Sequence, residues 1–173
     1  PENRLLWKMN RRRLEVEPWR DAVLSVSGQL RKEVGGPSSE LNENHRRRTL
    51  YGYVSRHRLN DLLRLFDFPD PNITAGERTV TTVPLQQLFV LNSDFMVSQA
   101  KALAARLKTE APSDDAKITS AFELLFARQP ADAELQLALE FLTTTTTESG
   151  DSLSPLEQYC LALLGTNEFA YVD

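Results

Sequence analysis

The sequence predicts a mostly α-helical domain of short antiparallel helices with a small two-stranded β element. Apolar residues recur at helical spacing over much of the chain. Pro, Gly, Ser and Asp residues stand where those helices would begin and end. Two short stretches, residues 49–55 and 79–83, are rich in β-branched or aromatic residues and are expected to pair as a ribbon. The length of 173 residues is typical of one domain, predicted over residues 1–173.

The first half of the chain is predicted to contain two helices before the ribbon. Residues 3–14 mix apolar and basic side chains and are expected to form the first helix. Pro18 opens a stronger one, because proline fits the first helical turn, and residues 35–37 (Gly-Gly-Pro) are expected to end it. A polar loop follows over residues 36–46. The predicted buried face of the second helix comprises Trp19, Ala22, Val23, Val26 and Leu30.

Short helices are expected to follow one another closely in the second half. Pro84 can begin the first of them, and Ser93 can cap the next by accepting a bond from a backbone N–H. Ser113 precedes two aspartates, which favour the positive end of a helix dipole. Pro130 is expected to start the second arm of a helix hairpin.

The last predicted helix follows Ser154, which has a glutamate three residues later in the capping-box spacing. Gly165 is expected to close this helix. Its apolar face includes Cys160, which as a single cysteine cannot form an intrachain disulfide. We expect Cys160 to be a buried, unreactive thiol.

Charge is distributed unevenly along the chain. Residues 1–64 carry 14 basic and 8 acidic side chains, residues 65–173 carry 6 and 16, and the net charge is −4. A basic half can mark an anionic partner, but halves of opposite sign can also pack on each other, which we favour. Nucleic-acid-binding domains are usually basic, so no nucleic-acid partner is predicted. No apolar run reaches the roughly 18–20 residues of a membrane span.

The sequence contains none of the common motifs for phosphate-binding loops, dinucleotide sites, nucleophile elbows or zinc proteases. Its two histidines, His45 and His57, are not spaced as ligands on one helix face. We therefore predict no metal site and leave the catalytic residues, and whether the protein is an enzyme at all, undecided, with a preference for a non-enzyme.

Arginines surround the first predicted strand, where Arg47 and Arg48 stand in a run of three. Guanidinium groups bind phosphate, sulfate or carboxylate through paired hydrogen bonds, so an anion site is one interpretation. The alternative, which we favour, is a structural network in which these arginines hold acids of the other half. The candidate ligand-binding residues are Arg47, Arg48, Arg78 and Gln86, with Asp67 or Asp70 as acid or base.

Three blocks of sequence, residues 47–51, 66–70 and 77–88, occur in this order and are followed by Leu91-Asn92. In combination they resemble the planctomycete-specific C-terminal domain of unknown function found in large cytochrome-c-like multidomain proteins. Residues 126–130 are similar to that family's helix hairpin, with alanine where glycine is common. The resemblance covers nearly the whole chain.

The resemblance implies a periplasmic or secreted bacterial protein in which upstream domains of the same polypeptide are partners. Because the chain begins at Pro1, we expect it to be an excised C-terminal fragment of such a protein. Any haem would belong to another domain, since the Cys-x-x-Cys-His attachment motif is missing here. No cofactor is expected in this fragment.

Two functional hypotheses follow. The first is a non-catalytic interaction or scaffolding module of a large protein that the resemblance links to redox or polysaccharide metabolism. The alternative is a domain that binds or processes an anionic glycan through the Arg/Asp cluster. A cleft in which these residues converge around a carboxylate of displaced pKa would favour the alternative.

Overall fold

The computed structural model describes residue 7, residues 9–144 and residues 153–172. Within them the chain is mostly helical with one two-stranded antiparallel sheet, which confirms the predicted fold class. In chain order the elements are β1 (Arg12–Arg13), α1 (Val16–Val26), a 3-10 helix (Thr49–Tyr51), α2 (Asp61–Leu65), α3 (Pro84–Asn92), α4 (Asp94–Glu110), α5 (Asp114–Phe126), α6 (Asp132–Thr144), α7 (Pro155–Leu164), α8 (Asn167–Ala170) and β2 (Tyr171–Val172).

Helix α4 is the centre of the core and packs most extensively against α7. Ala100 and Ala104 are fully buried on α4, and their small side chains let the neighbouring helices approach closely. Cys160 on α7 is fully buried, as predicted, and burial raises the pKa of its thiol to about 12. No helix in the described ranges is long and apolar enough to cross a membrane.

The start of α1 agrees with the prediction, but its end does not. The helix stops at Val26 instead of at residues 35–37. Gly28 takes a φ of 73°, and the N–H of Gln29 donates to the Leu24 carbonyl at 2.8 Å. This is the Schellman ending, which glycine favours because it adopts positive φ without strain. The chain therefore leaves the helix early and enters a long, largely irregular segment.

The β element lies elsewhere than predicted. Its strands are β1 and β2, near the two ends of the described chain, with Arg12 opposite Val172 and Arg13 opposite Tyr171. The prediction of a helix over residues 3–14 is wrong from residue 9 onward, and residues 1–6 and 8 lie outside the described residues. Pairing between such distant segments leaves no local signal in the sequence.

Residues 49–55 and 79–83, predicted as a ribbon, do not pair with each other. Thr49–Tyr51 is a 3-10 helix, closed where the N–H of Gly52 donates to the Thr49 carbonyl at 2.8 Å. Residues 79–83 are outside any strand. In each stretch a carboxylate binds one backbone N–H, Asp21 that of Thr49 and Asp67 that of Thr81. Gly52 also forms an isolated parallel bridge with Ser39.

The helix starts predicted at Ser93, Ser113 and Ser154 are confirmed by their caps, whereas α6 begins at Asp132 instead of Pro130. The hydroxyl of Ser93 accepts from the N–H of Met96 at 3.3 Å, and Ser113 caps α5 in the same way at 3.3 Å. At α7 the Glu157 carboxylate accepts from the N–H of Ser154 at 2.7 Å. Local signals are sufficient here because the capping partners are only three residues apart.

Candidate functional site

The irregular segment between α1 and α3 is fastened to α1 by two acids of that helix. Glu17 and Asp21 are four residues apart and so lie on the same face, one turn from each other. Glu17 accepts hydrogen bonds from Arg78, and Asp21 accepts them from Arg48 and from Thr49, the residue after it. Arg48 thus meets an acid of its own half of the chain, whereas Arg78, from residues 65–173, meets an acid of the first half.

Arg78 is held at the first of these acids. Its guanidinium donates to both oxygens of Glu17, at 2.8 and 2.9 Å, and also pairs with Glu15 at 2.9 Å. The hydrogen bonds to Glu17 raise the pKa of Arg78. Its other side lies over the ring of Phe68, 5.2 Å from the ring centre. The charge of Arg78 is therefore already matched within the fold.

Asp21 holds the 3-10 helix. One carboxylate oxygen accepts from the backbone N–H of Thr49 at 2.6 Å and from its hydroxyl at 2.7 Å. The other accepts from Nε of Arg48 at 3.3 Å. The side chain of Arg48 is 60% exposed while that of Asp21 is 14% exposed. The bonds to Thr49 thus matter more to stability than the water-screened ion pair does.

Arg47 holds a turn of the irregular segment. Its guanidinium lies over the Tyr51 ring, 4.0 Å from the ring centre, and donates to the carbonyls of Gly35 and Pro37. The N–H of Gly35 in turn donates to the Tyr51 hydroxyl at 2.9 Å. Arg47 and Tyr51 thus both hydrogen-bond to the turn at residues 35–37 and hold it in place.

Asp67 and Gln86 are in direct contact. Asp67 takes a φ of 61°, and its carboxylate accepts from the N–H and the hydroxyl of Thr81 at 2.8 and 2.7 Å. The buried amide of Gln86 donates to the Leu65 carbonyl at 2.9 Å and, more weakly, to Asp67 at 3.4 Å. Its oxygen accepts from Arg13 at 2.7 Å. This network joins the corner after α2 to the start of α3.

The six predicted site residues fall into two groups. Asp67, Asp70 and Arg78 line one surface cavity of about 200 Å³. Gln86 does not line it but donates a hydrogen bond to Asp67. Asp70 is exposed and accepts from the N–H of Asn72 in a turn. Arg47 and Arg48 have different partners and do not line that cavity.

Glu134 and Glu168, whose pKa values are displaced, contact Arg128 and are not among the predicted site residues. Arg128, which follows α5, donates to both oxygens of Glu134 at 2.7 and 2.8 Å and to both oxygens of Glu168 at 2.6 and 2.9 Å. These bonds lower the pKa of Glu134 to about 2 and also lower that of Glu168. A lowered pKa suits a permanently ionised partner, whereas a catalytic acid needs a raised one.

Sequence reasoning missed Arg20. This side chain is only 1% exposed, yet it lines a cavity of about 380 Å³ between α1, the loop at residues 41–44, and the start of α4. Burial is the main cause that lowers its pKa to about 10. A signal was present, because Arg20 stands four residues after Val16 and four before Leu24, in the register of the buried face.

His45 lies beside Arg20 and is 5% exposed. Its carbonyl accepts from the Arg20 guanidinium at 2.6 Å, and its Nδ1 lies 3.0 Å from the Ser39 hydroxyl. Burial, together with the nearby positive charges of Arg20 and Arg47, lowers the pKa of the imidazole. The fold therefore favours the neutral form of His45.

We expect the folded state to lose stability as the pH falls below about 6.5, the ordinary pKa of histidine. In that window the unfolded chain binds a proton at this histidine that the native state resists, so the free energy of unfolding decreases with falling pH. Urea unfolding between pH 7 and 5.5 measures the slope. His45→Gln should flatten it, whereas His57→Gln, at an exposed position, should not. Equal slopes in both variants would contradict the assignment to His45.

Comparison with known proteins gives one match. The family model described as PSD1, protein of unknown function (DUF1553), matches residues 1–142. The chain belongs to this family. The search of curated proteins and the search of solved structures gave no match to this chain. Membership of DUF1553 agrees with an uncharacterised domain and assigns no reaction, so the function of this DUF1553 domain has to be argued from its surfaces and cavities.

No group of three or more His, Cys, Asp or Glu side chains within the described ranges is placed to hold a metal ion. The hydrogen bonds around α1 hold backbone segments and side chains of the irregular segment in place. The carboxylates Asp21 and Asp67 both accept a backbone N–H and a threonine hydroxyl, which is a structural use of an acid.

Proposed function

We propose that this domain is a non-catalytic interaction module within a larger polypeptide. The observation that carries the proposal is an exposed apolar face on α3. Leu85, Leu88 and Leu91 are 63, 54 and 43% exposed, and their spacing of three places them along one side of the helix. Gln86 and Val90, on the same helix, are buried against the domain.

Single exposed leucines are common on protein surfaces, but a continuous apolar stripe indicates a contact with another surface. Val80 and Val83, which are 63 and 38% exposed, add apolar residues in the extended segment that leads into α3. The partner we propose is an upstream domain of the same polypeptide, in the periplasm or outside the cell. The family resemblance supports that choice of partner and location.

The roles of the candidate acids also support a non-catalytic module. Asp67 accepts two bonds from Thr81, and Asp70 accepts one from the N–H of Asn72, so both candidate carboxylates act as acceptors within the fold. A general acid or base needs a proton that it can exchange with a substrate at working pH.

The test is binding between this chain and the rest of its polypeptide, produced separately and mixed in a titration calorimeter. We expect association, and we expect the double substitution Leu85→Asp and Leu88→Asp to weaken it at least about tenfold, because apolar anchors dominate such contacts. The melting temperature should stay within about 2 °C of the original, since both side chains are exposed.

Val34→Asp is the matched control, because Val34 is 91% exposed and lies outside α3. It should bind like the unsubstituted chain. The proposal fails if the unsubstituted chain does not bind, or if the double variant binds as tightly as Val34→Asp.

A second candidate, anionic-glycan binding or processing, is favoured by one observation, the shared cavity of Asp67, Asp70 and Arg78. The cation of this cavity, Arg78, is already paired with Glu15 and Glu17, which leaves little positive charge for a ligand. Uronic-acid and sulfated oligomers separate the two candidates. Stabilisation that Arg78→Gln removes and the α3 double variant retains would support glycan binding over the interaction module.

A further inference from the structure

The cavity that Arg20 lines has the features of a small-molecule site. Its volume of about 380 Å³ lies within the range typical of ligand pockets. Leu41, Leu62 and Phe89 supply an apolar wall, and Phe95 lies beneath the guanidinium with its ring centre 4.9 Å away. Phe89 is on α3 but outside its exposed stripe of Leu85, Leu88 and Leu91, so the cavity and the proposed interaction surface share no residue.

Arg20 is a buried cation whose hydrogen-bond partners are all uncharged. Apart from the short bond to the His45 carbonyl, it donates to the Asn42 carbonyl and to the Thr49 hydroxyl, both at 3.4 Å. No ion pair connects it to a carboxylate within the described ranges. The negative charge of Asp21 acts on Arg20 from beyond ion-pair distance. A buried charge without a direct counter-ion is costly, and two of its hydrogen bonds are long enough to yield to a stronger acceptor.

Two carboxylates share the cavity with this cation. Glu43 and Asp94 both line it and both are exposed. A ligand with only negative charge would gain from Arg20 but would be repelled by these two acids. A ligand with a carboxylate at one end and an ammonium group at the other would find an opposite charge for each.

We propose that this cavity binds a small zwitterion, an α-amino acid with an apolar side chain. Its carboxylate pairs with Arg20, its ammonium group pairs with Asp94 or Glu43, and its side chain packs on the wall of Leu62 and Phe89. The buried guanidinium supplies the strong contact because water does not screen it.

L-Phenylalanine is the probe, and thermal unfolding with titration calorimetry is the measurement. Binding to the folded state raises the melting temperature with ligand concentration. Phenethylamine lacks the carboxylate and 3-phenylpropanoate lacks the ammonium group, so both should bind at least about tenfold more weakly, the loss of one charged hydrogen bond. If 3-phenylpropanoate bound as tightly as L-phenylalanine, the ligand would not need its ammonium group and the proposal of a zwitterion would be wrong. If no probe raised the melting temperature, the cavity would not be a binding site for this class of ligand.

Substitutions locate the binding without unfolding the chain. Asp94→Asn and Glu43→Gln are exposed changes, and together they should reduce the affinity for L-phenylalanine at least about tenfold. Asp61→Asn is the control, because Asp61 is 91% exposed and does not line this cavity. Loss of affinity in the control, or full affinity in the double variant, would contradict the proposal. Neither result depends on whether the α3 surface binds a partner.

Discussion

Replacing Asp21 by alanine is expected to lower the free energy of unfolding by about 2–4 kcal/mol. The carboxylate accepts two bonds from Thr49, at 2.6 and 2.7 Å, and Thr49 is 4% exposed. Hydrogen bonds to a charged group contribute about 1.5–3 kcal/mol, and a buried N–H left without a partner costs about 1–3 kcal/mol. Urea unfolding followed by circular dichroism gives the difference.

Arg48→Ala is the matched control for this prediction. It removes the ion-pair partner of Asp21 but leaves the bonds to Thr49 in place. Because Arg48 is largely exposed, the loss should be less than about 1 kcal/mol. If Arg48→Ala were as destabilising as Asp21→Ala, the ion pair and not the backbone bond would hold this segment.

Replacing Phe66 by alanine is expected to cost about 3–5 kcal/mol, as for other buried aromatic residues. Its ring stacks on Trp19 with centres 4.7 Å apart and meets Phe89 edge-on at 5.8 Å. The guanidinium of Arg13 lies 5.6 Å from the centre of the Phe66 ring and donates a hydrogen bond to the side-chain oxygen of Gln86. The substitution would therefore open a cavity where α1, α2 and α3 meet.

Ile73→Ala is the comparison for Phe66→Ala, because Ile73 is 68% exposed in the same irregular region. We expect a change within about 0.5 kcal/mol. Urea unfolding of both variants measures the contrast. A loss below about 1 kcal/mol for Phe66→Ala would mean that this corner does not belong to the core.

The predictions from sequence succeeded where the determinants were local. Helices α3, α4, α5 and α7 begin at the expected prolines and serines because a cap and its partner are three residues apart. Helix α6 begins at Asp132, two residues after the predicted Pro130, and α8 was not predicted. The end of α1 was misplaced because both Gly28 and Gly35 are potential stop signals. Both have positive φ in the fold, and the first along the chain ends the helix.

The errors in the β element have a physical cause. Thr49 and Thr81 have the β-branched character of strand residues, but Asp21 and Asp67 bind their N–H groups from 28 and 14 residues away. Side chains thus replace a strand partner, and β propensity reflects context as much as the residue itself. The strands that do form join residues near opposite ends of the chain.

The candidate site was only partly accessible to sequence reasoning. Asp67 and Gln86 were chosen from two separate blocks, residues 66–70 and 77–88, and the structure brings them into contact. Arg20 was overlooked although it is in register with Val16 and Leu24, because apolar spacing alone does not show which charged residue of a helix is enclosed. Only the three-dimensional packing of α4 and the loop at residues 41–44 reveals the cavity beside it.

In the irregular segment, the carboxylates of Asp21 and Asp67 take the place of strand partners at the N–H groups of Thr49 and Thr81. Backbone hydrogen exchange of Thr49, followed by NMR, measures this at one atom. We expect the Thr49 amide to exchange about as slowly as the core amides of α4, and Asp21→Ala, which removes the acceptor, to accelerate its exchange well beyond theirs. Exchange of the Thr49 amide at the rate of an unstructured chain in the unsubstituted protein would contradict the claim.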